Sequence, residues 1–124
     1  MLFRSGLYMS FAGKSLDGLV KAGGNGAKFI EAYKAKYGMD PASSYSVYGA
    51  VAMQIILKAI AASDGTRKGV RDAAFSGNIK IAADKSVIGK EFGIDPKTGD
   101  VTVKDMSIQL MKDNKETFLK PWAI

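Results

Sequence analysis

A chain of 124 residues, 47% hydrophobic and 24% charged, has the make-up of one globular domain or part of one rather than of a disordered segment. Its net charge of +6 comes from 18 Lys and Arg dispersed among 12 acids, with no basic block interleaved with aromatics, so nucleic acid is not an expected partner. Without cysteine or histidine, the chain is excluded from disulfides, thiolate nucleophiles, zinc–thiolate sites and catalysis by the commonest general base.

The beginning, MLFRSGLYMSF, lacks the basic segment, apolar core and small-residue cleavage site of a secretory signal. A short apolar stretch from Leu7 to Phe11 is followed by KSLDGLVKAGGNG, which reads as a loop, with Asn25 as N-cap of a helix ending before Gly38. That helix, AKFIEAYKAKYG, is amphipathic: Phe29, Ile30, Tyr33 and Tyr37 form its apolar stripe, and Lys28, Glu31, Lys34 and Lys36 face water. MDPASS makes a turn whose serines are available as caps.

The next helix, YSVYGAVAMQIILKAIAAS from Tyr45 to Ser63, is far more apolar than a surface helix needs to be. Only Ser46, Gln54 and Lys58 supply a polar arc at 100° per residue. Gln54 and Lys58 interrupt the run before the ~20 apolar residues of a membrane span are reached. A third, short helix starts after Thr66, stops at Gly77 and carries Val70, Ala73, Ala74 and Phe75.

From Ile79 onward the pattern predicts strands: SVIGKEFGID, a tight reversal at DPKTGD with Pro96 and Gly99, and then VTVKDMSIQLMKDNKETFLKPW. Met106, Ile108 and Leu110 alternate with Ser107 and Gln109, which predicts a buried apolar face. KDNKE reads as a turn and TFLKPW as a last strand. The expected fold is therefore α/β, three helices followed by short β-strands, with too few strands to cover the central helix.

Little in this pattern points to catalysis. FAGKS, Phe11 to Ser15, has the last letters of a phosphate-binding loop, but the glycine required five residues before Gly13 is Tyr8. AGGNGAK has neither that spacing nor the dinucleotide one. The carboxylates occur singly, several beside Gly or Pro where turns use Asp, and DPKTGD lacks the alternating oxygens of a calcium loop. No GxSxG elbow is present to activate a serine, so the chain reads as a non-enzyme with no metal and no cofactor. Tyr45 and Tyr48 stand out at the start of the apolar helix, where phenolic hydroxyls and free N–H groups can meet a small polar ligand; core packing is the competing role for them.

Taken in order, KFIEAYKAKYGMDPASSYSVYGAVAMQIILKAIAAS, DGTRKGVRDAAFSG and VIGKEFGIDPKTGD resemble the C-terminal part of the solute-binding proteins of ABC importers for branched-chain amino acids and amides. Phe29, Tyr33, Tyr37, Gly38, Pro41, Tyr45, Tyr48, Val70, Arg71, Asp72, Asp95, Gly99 and Asp100 are among the residues that fit. The resemblance covers about Gly6 to the end. It departs from the family at YGAVA, which lacks the acidic residue usual after the second tyrosine, and at GLYMS, which stands alone for an aromatic-rich hinge strand.

The resemblance implies an incomplete lobe of a periplasmic-binding-protein fold, two α/β lobes joined by three crossing segments around a ligand cleft. Residues 6–23 would be a crossing segment and loop, 24–94 would complete the N-terminal lobe, and 95–124 would be terminal strands. Implied partners are a small-molecule ligand, an amino acid or amide, and a membrane permease; the implied location is periplasmic or otherwise extracytoplasmic. Ligand contact is expected first at Tyr45, then at Tyr8 and Tyr48. MLFRS matches the translation of a sequencing-adapter end, so residues 1–5 are expected to be an artefactual start on a truncated gene. The other reading of the same residues is a small independent α/β protein-interaction domain; a nucleotide-binding fragment resting on FAGKS is a third.

Overall fold

The computed structural model describes residues 6–113 and 115–122, so the expected artefactual start at 1–5 lies outside the described residues. The chain runs β1 (Tyr8–Ala12), α1 (Leu16–Ala22), α2 (Gly24–Tyr37), α3 (Tyr45–Ala61), α4 (Arg67–Ala74), β2 (Lys80–Ile81), β3 (Phe92–Gly93), β4 (Met106–Lys112) and β5 (Lys115–Trp122). Strands β1, β4 and β5 form one antiparallel sheet in the order β1-β4-β5, and β2 pairs with β3 in a second. Among the described residues there are thus four helices rather than the three expected, and a strand precedes them.

The extra helix is α1, where the sequence reads as a loop. Ser15 caps it by accepting a hydrogen bond from the Gly18 N–H, Asp17 lies in its first turn, and Lys21 pairs with Asp17 at 2.8 Å. Leu19 completes the helix by inserting, 3% exposed, between α2 and α3. Packing thereby overrides Gly18, the one glycine inside the helix. Asn25 does not cap α2, which begins one residue earlier with Gly23 as N-cap; its amide instead donates to the carbonyls of Asp84 and Ser86. Gly38 ends α2 in the left-handed region at φ 72°, as expected. Tyr37 leaves the expected apolar stripe and is exposed, its ring tilted against that of Tyr33.

Helix α3 is common to both apolar clusters. Val47 joins Leu19 and Ile30, while Val51, Ile55 and Ala59 pack with Ile79, Ile81 and Phe92 from the small sheet. Its polar residues do not face water as a stripe. The Gln54 amide donates to the Lys85 carbonyl at 2.7 Å and accepts from the Val87 N–H at 3.1 Å, and the Lys58 ammonium donates to the Lys80 carbonyl. These bonds hold residues 80–87 against the helix, which is why SVIG is a turn and the strand expected there shrinks to Phe92–Gly93. What α3 leaves outward is apolar: Met53, Ile56, Leu57 and Ile60, spaced i, i+3, i+4 and i+7, are all exposed.

In β4 the alternation is present but inverted. Ser107, Gln109 and Met111 are buried, while Met106, Ile108 and Leu110 are only half-buried on the other face, opposite Ala12, Ser10 and Tyr8. Period-2 patterning shows that a strand has two unlike faces and leaves open which one another element covers. Here the covered face also carries Phe118, whose ring lies against Gly18 of α1, and Ser107 is satisfied by donating to the Gly13 carbonyl at 2.7 Å. Gln109, opposite Met9 and Phe118, is 1% exposed, and neither atom of its amide has a hydrogen-bond partner.

The two glutamines should therefore respond oppositely to an apolar substitution. Gln54→Leu strands the Val87 N–H and should lower stability by ~1–3 kcal/mol, whereas Gln109→Met removes an unsatisfied buried amide and should raise it by a similar amount. Urea unfolding of both variants measures the two signs.

Candidate functional site

An apolar groove of about 660 Å³ is bounded by the first three turns of α3, the end of β1 and the 92–105 segment. Val51, Ile55, Phe75, Phe92, Val101 and Val103 line it, and its polar groups are the phenols of Tyr45 and Tyr48 and the side chains of Lys104 and Asp105. Its size is in the range of small-ligand sites, ~300–1,000 Å³.

Tyr48 is fixed in place. Its hydroxyl oxygen accepts the Lys14 backbone N–H at 2.8 Å, tying α3 to the turn after β1. Gly13 makes that approach possible, because a Cβ there would come within 2.2 Å of the Tyr48 hydroxyl, and the residue adopts φ 95°, outside the range favoured by other side chains. The Gly13 N–H in turn donates to the Asp105 carbonyl at 2.7 Å, and the Asp105 carboxylate takes the Lys90 ammonium at 2.6 Å. Burial raises the Tyr48 phenol above its usual value; the Lys14 N–H opposes this and the negative charge of Asp105 adds to it. With its N–H committed to Tyr48, Lys14 in FAGKS does not offer its backbone donor to a phosphate.

Tyr45 sits at the groove mouth, 62% exposed, with its ring tilted against Phe11 at 5.4 Å between centroids and its hydroxyl without a partner among the described residues. The free N–H groups expected beside it are in fact occupied. Tyr45 N–H donates to the Ser43 hydroxyl, Ser46 N–H to the Ser43 carbonyl, and Val47 and Tyr48 N–H to the Ser44 carbonyl. The turn serines therefore serve α3 through the Ser43 hydroxyl and two backbone carbonyls, and Ser44 makes no side-chain cap. Tyr8 stands apart from the groove, exposed on the open face of the large sheet opposite Leu110.

The structure thus brings Tyr45 and Tyr48 to one groove and leaves Tyr8 elsewhere. It adds Gly13, Lys104 and Asp105, of which only Gly13 carries a sequence signal, through the unusual FAGKS. Among the described residues no cluster of acids is arranged to hold a metal ion, and no helix is long and apolar enough to cross a membrane. No protein-family model matches the chain, and neither a curated protein nor a solved structure does.

A phenol whose folded pKa is raised contributes stability that is present below the unfolded value of 10.0 and is lost as pH rises through the folded one. Spectrophotometric titration should find the Tyr48 phenol ionising above its usual value, together with loss of folded structure. Tyr48→Phe should remove that transition and cost ~1–3 kcal/mol at neutral pH, because the Lys14 N–H loses its acceptor.

Proposed function

We propose that this chain is part of the extracytoplasmic solute-binding subunit of an ABC importer, capturing a branched-chain or related amino acid, or an amide, between two lobes. Capture is non-covalent, and the loaded subunit delivers its ligand to a membrane permease. The observation that carries the reading is the pairing of β1 with β4. In the fold implied by the sequence resemblance, Gly6 to Ala12 leads into one lobe and the strands near the end lead out of it. Two such segments must run side by side in opposite directions, as β1 and β4 do.

Two further features support it. Both apolar clusters are built entirely from buried residues between β1 and β4, from Leu19 to Phe92, as expected of a unit entered by one crossing and left by the other. The exposed arc Met53, Ile56, Leu57 and Ile60 is the face that remaining parts of a lobe would cover, at ~1.5–3 kcal/mol per fully buried side chain. The groove then lies where the crossings meet α3, with the unpartnered Tyr45 hydroxyl at its mouth as the ligand contact.

The reading requires that the gene encode, upstream and in frame, a second α/β lobe and a secretory signal. An in-frame stop immediately before Met1, together with a chain that is a monomer by light scattering and unfolds sharply, would overturn it in favour of an independent domain using the apolar face for a protein partner. In the two-lobed protein, Tyr45→Phe removes one neutral hydrogen bond and should weaken ligand binding roughly twofold to twelvefold in calorimetric titration, with folding unchanged.

A further inference from the structure

We propose a second binding site, independent of the reading above, in the cavity of about 420 Å³ between α1 and the β4–β5 hairpin: it takes a small anion carried on a planar aromatic ring. Its charged lining is Lys14, Lys21 and Lys90 against the single carboxylate of Asp105, and its aromatic lining is Phe118 and Trp122.

The cationic side is only partly neutralised. Lys90 pairs with Asp105 and Lys21 with Asp17, which lies just behind it on α1, whereas Lys14 makes no ion pair among the described residues. An ammonium has three donors, so Lys21 and Lys90 can each keep the carboxylate and still donate to an incoming anion. The aromatic side is rigid at one wall and open at the other. Phe118 is held by the contact of its ring with Gly18, where a Cβ would come within 2.8 Å, and by its N–H donating to Asp17 at 3.2 Å. Trp122 pairs with Met106 at the end of the hairpin, borders the cavity and is 52% exposed, so the aromatic lining is open to solvent there. Stacking of a ring on such a surface is favourable for any planar π-system, and the lysines add selection for negative charge.

Two sources present this chemistry, a nucleoside monophosphate and an aryl carboxylate. Trp122 is the only tryptophan of the chain and reports directly on the cavity. Its fluorescence should change saturably with AMP or with benzoate; saturation by AMP alone identifies the nucleotide source and by benzoate alone the carboxylate. Adenosine, which has the ring without the charge, and inorganic phosphate, which has the charge without the ring, should each bind at least ~10-fold more weakly than the better anion. The double variant Lys14→Met/Lys21→Met should weaken binding about 5- to 10-fold, Lys28→Met on α2 should leave it unchanged, and added salt should weaken binding to the unaltered chain.

Adenosine matching AMP, affinity insensitive to both salt and the double substitution, or no saturable change with either anion would overturn the proposal. Should the double variant fail to fold by circular dichroism, the salt dependence of the unaltered chain decides. None of these readouts involves Tyr45, so failure here and failure of the solute-binding reading are separate results.

Discussion

The pair of hydrogen bonds from Gln54 to the backbone of residues 85 and 87 determines how α3 is oriented, and the rest of the molecule follows from that orientation. A helix this apolar can bury any of several faces at similar gain. The polar side chains decide which, because Gln54 and Lys58, one turn apart, find backbone partners on the 80–87 segment and draw it over the helix. Val51, Ile55 and Ala59 then meet Ile79, Ile81 and Phe92, and Val47 meets Leu19 and Ile30. The arc from Met53 to Ile60 is left in solvent because Gln54 and Lys58 are committed to the 80–87 segment on another side of the helix.

How far the sequence could be read follows from the same logic. The apolar run Tyr45–Ser63 predicts α3 to within its last turn, Thr66 predicts the start of α4, and Pro96 with Gly99 predicts the reversal in which the Gly99 N–H returns to the Asp95 carbonyl. These are local signals: periodicity, a cap, a turn. The failures are tertiary. Helix α1 is made possible by Leu19 entering a pocket formed by residues far away in sequence, and the inward turn of Ser107 and Gln109 depends on α1 lying over that face. Within the groove, Tyr45 and Tyr48 are legible as aromatics at a helix start, while Asp105 is a lone acid in a run of single acids until folding brings it beside Gly13.

The large sheet shows the same inversion as α3. Its open face carries Tyr8, Met106, Ile108 and Leu110, and its covered face carries Ser107 and the unsatisfied Gln109. An exposed apolar arc on the central helix, a half-buried apolar row on the main sheet and a buried amide lacking partners are each unfavourable for a domain of this size. The proposed solute-binding reading would give both helix and sheet further neighbours. An interaction domain with one partner accounts for a single such face more readily than for two on different elements.

Asp105 links the groove to the cavity, because it lines both. On one side its charge opposes ionisation of Tyr48 in the groove; on the other it holds the Lys90 ammonium in the cavity. An anion bound in the cavity as proposed, with Lys90 keeping its carboxylate, would add its own negative charge beside Asp105, and the field at Tyr48 would become more negative. The Tyr48 phenol is then harder to ionise, and an anionic group in the groove is repelled more strongly. Linkage would make the effect reciprocal: an anionic group in the groove would weaken binding of the anion in the cavity by the same factor. With the proposed anion in place, the two concavities would be coupled electrostatically through the one carboxylate that lines both.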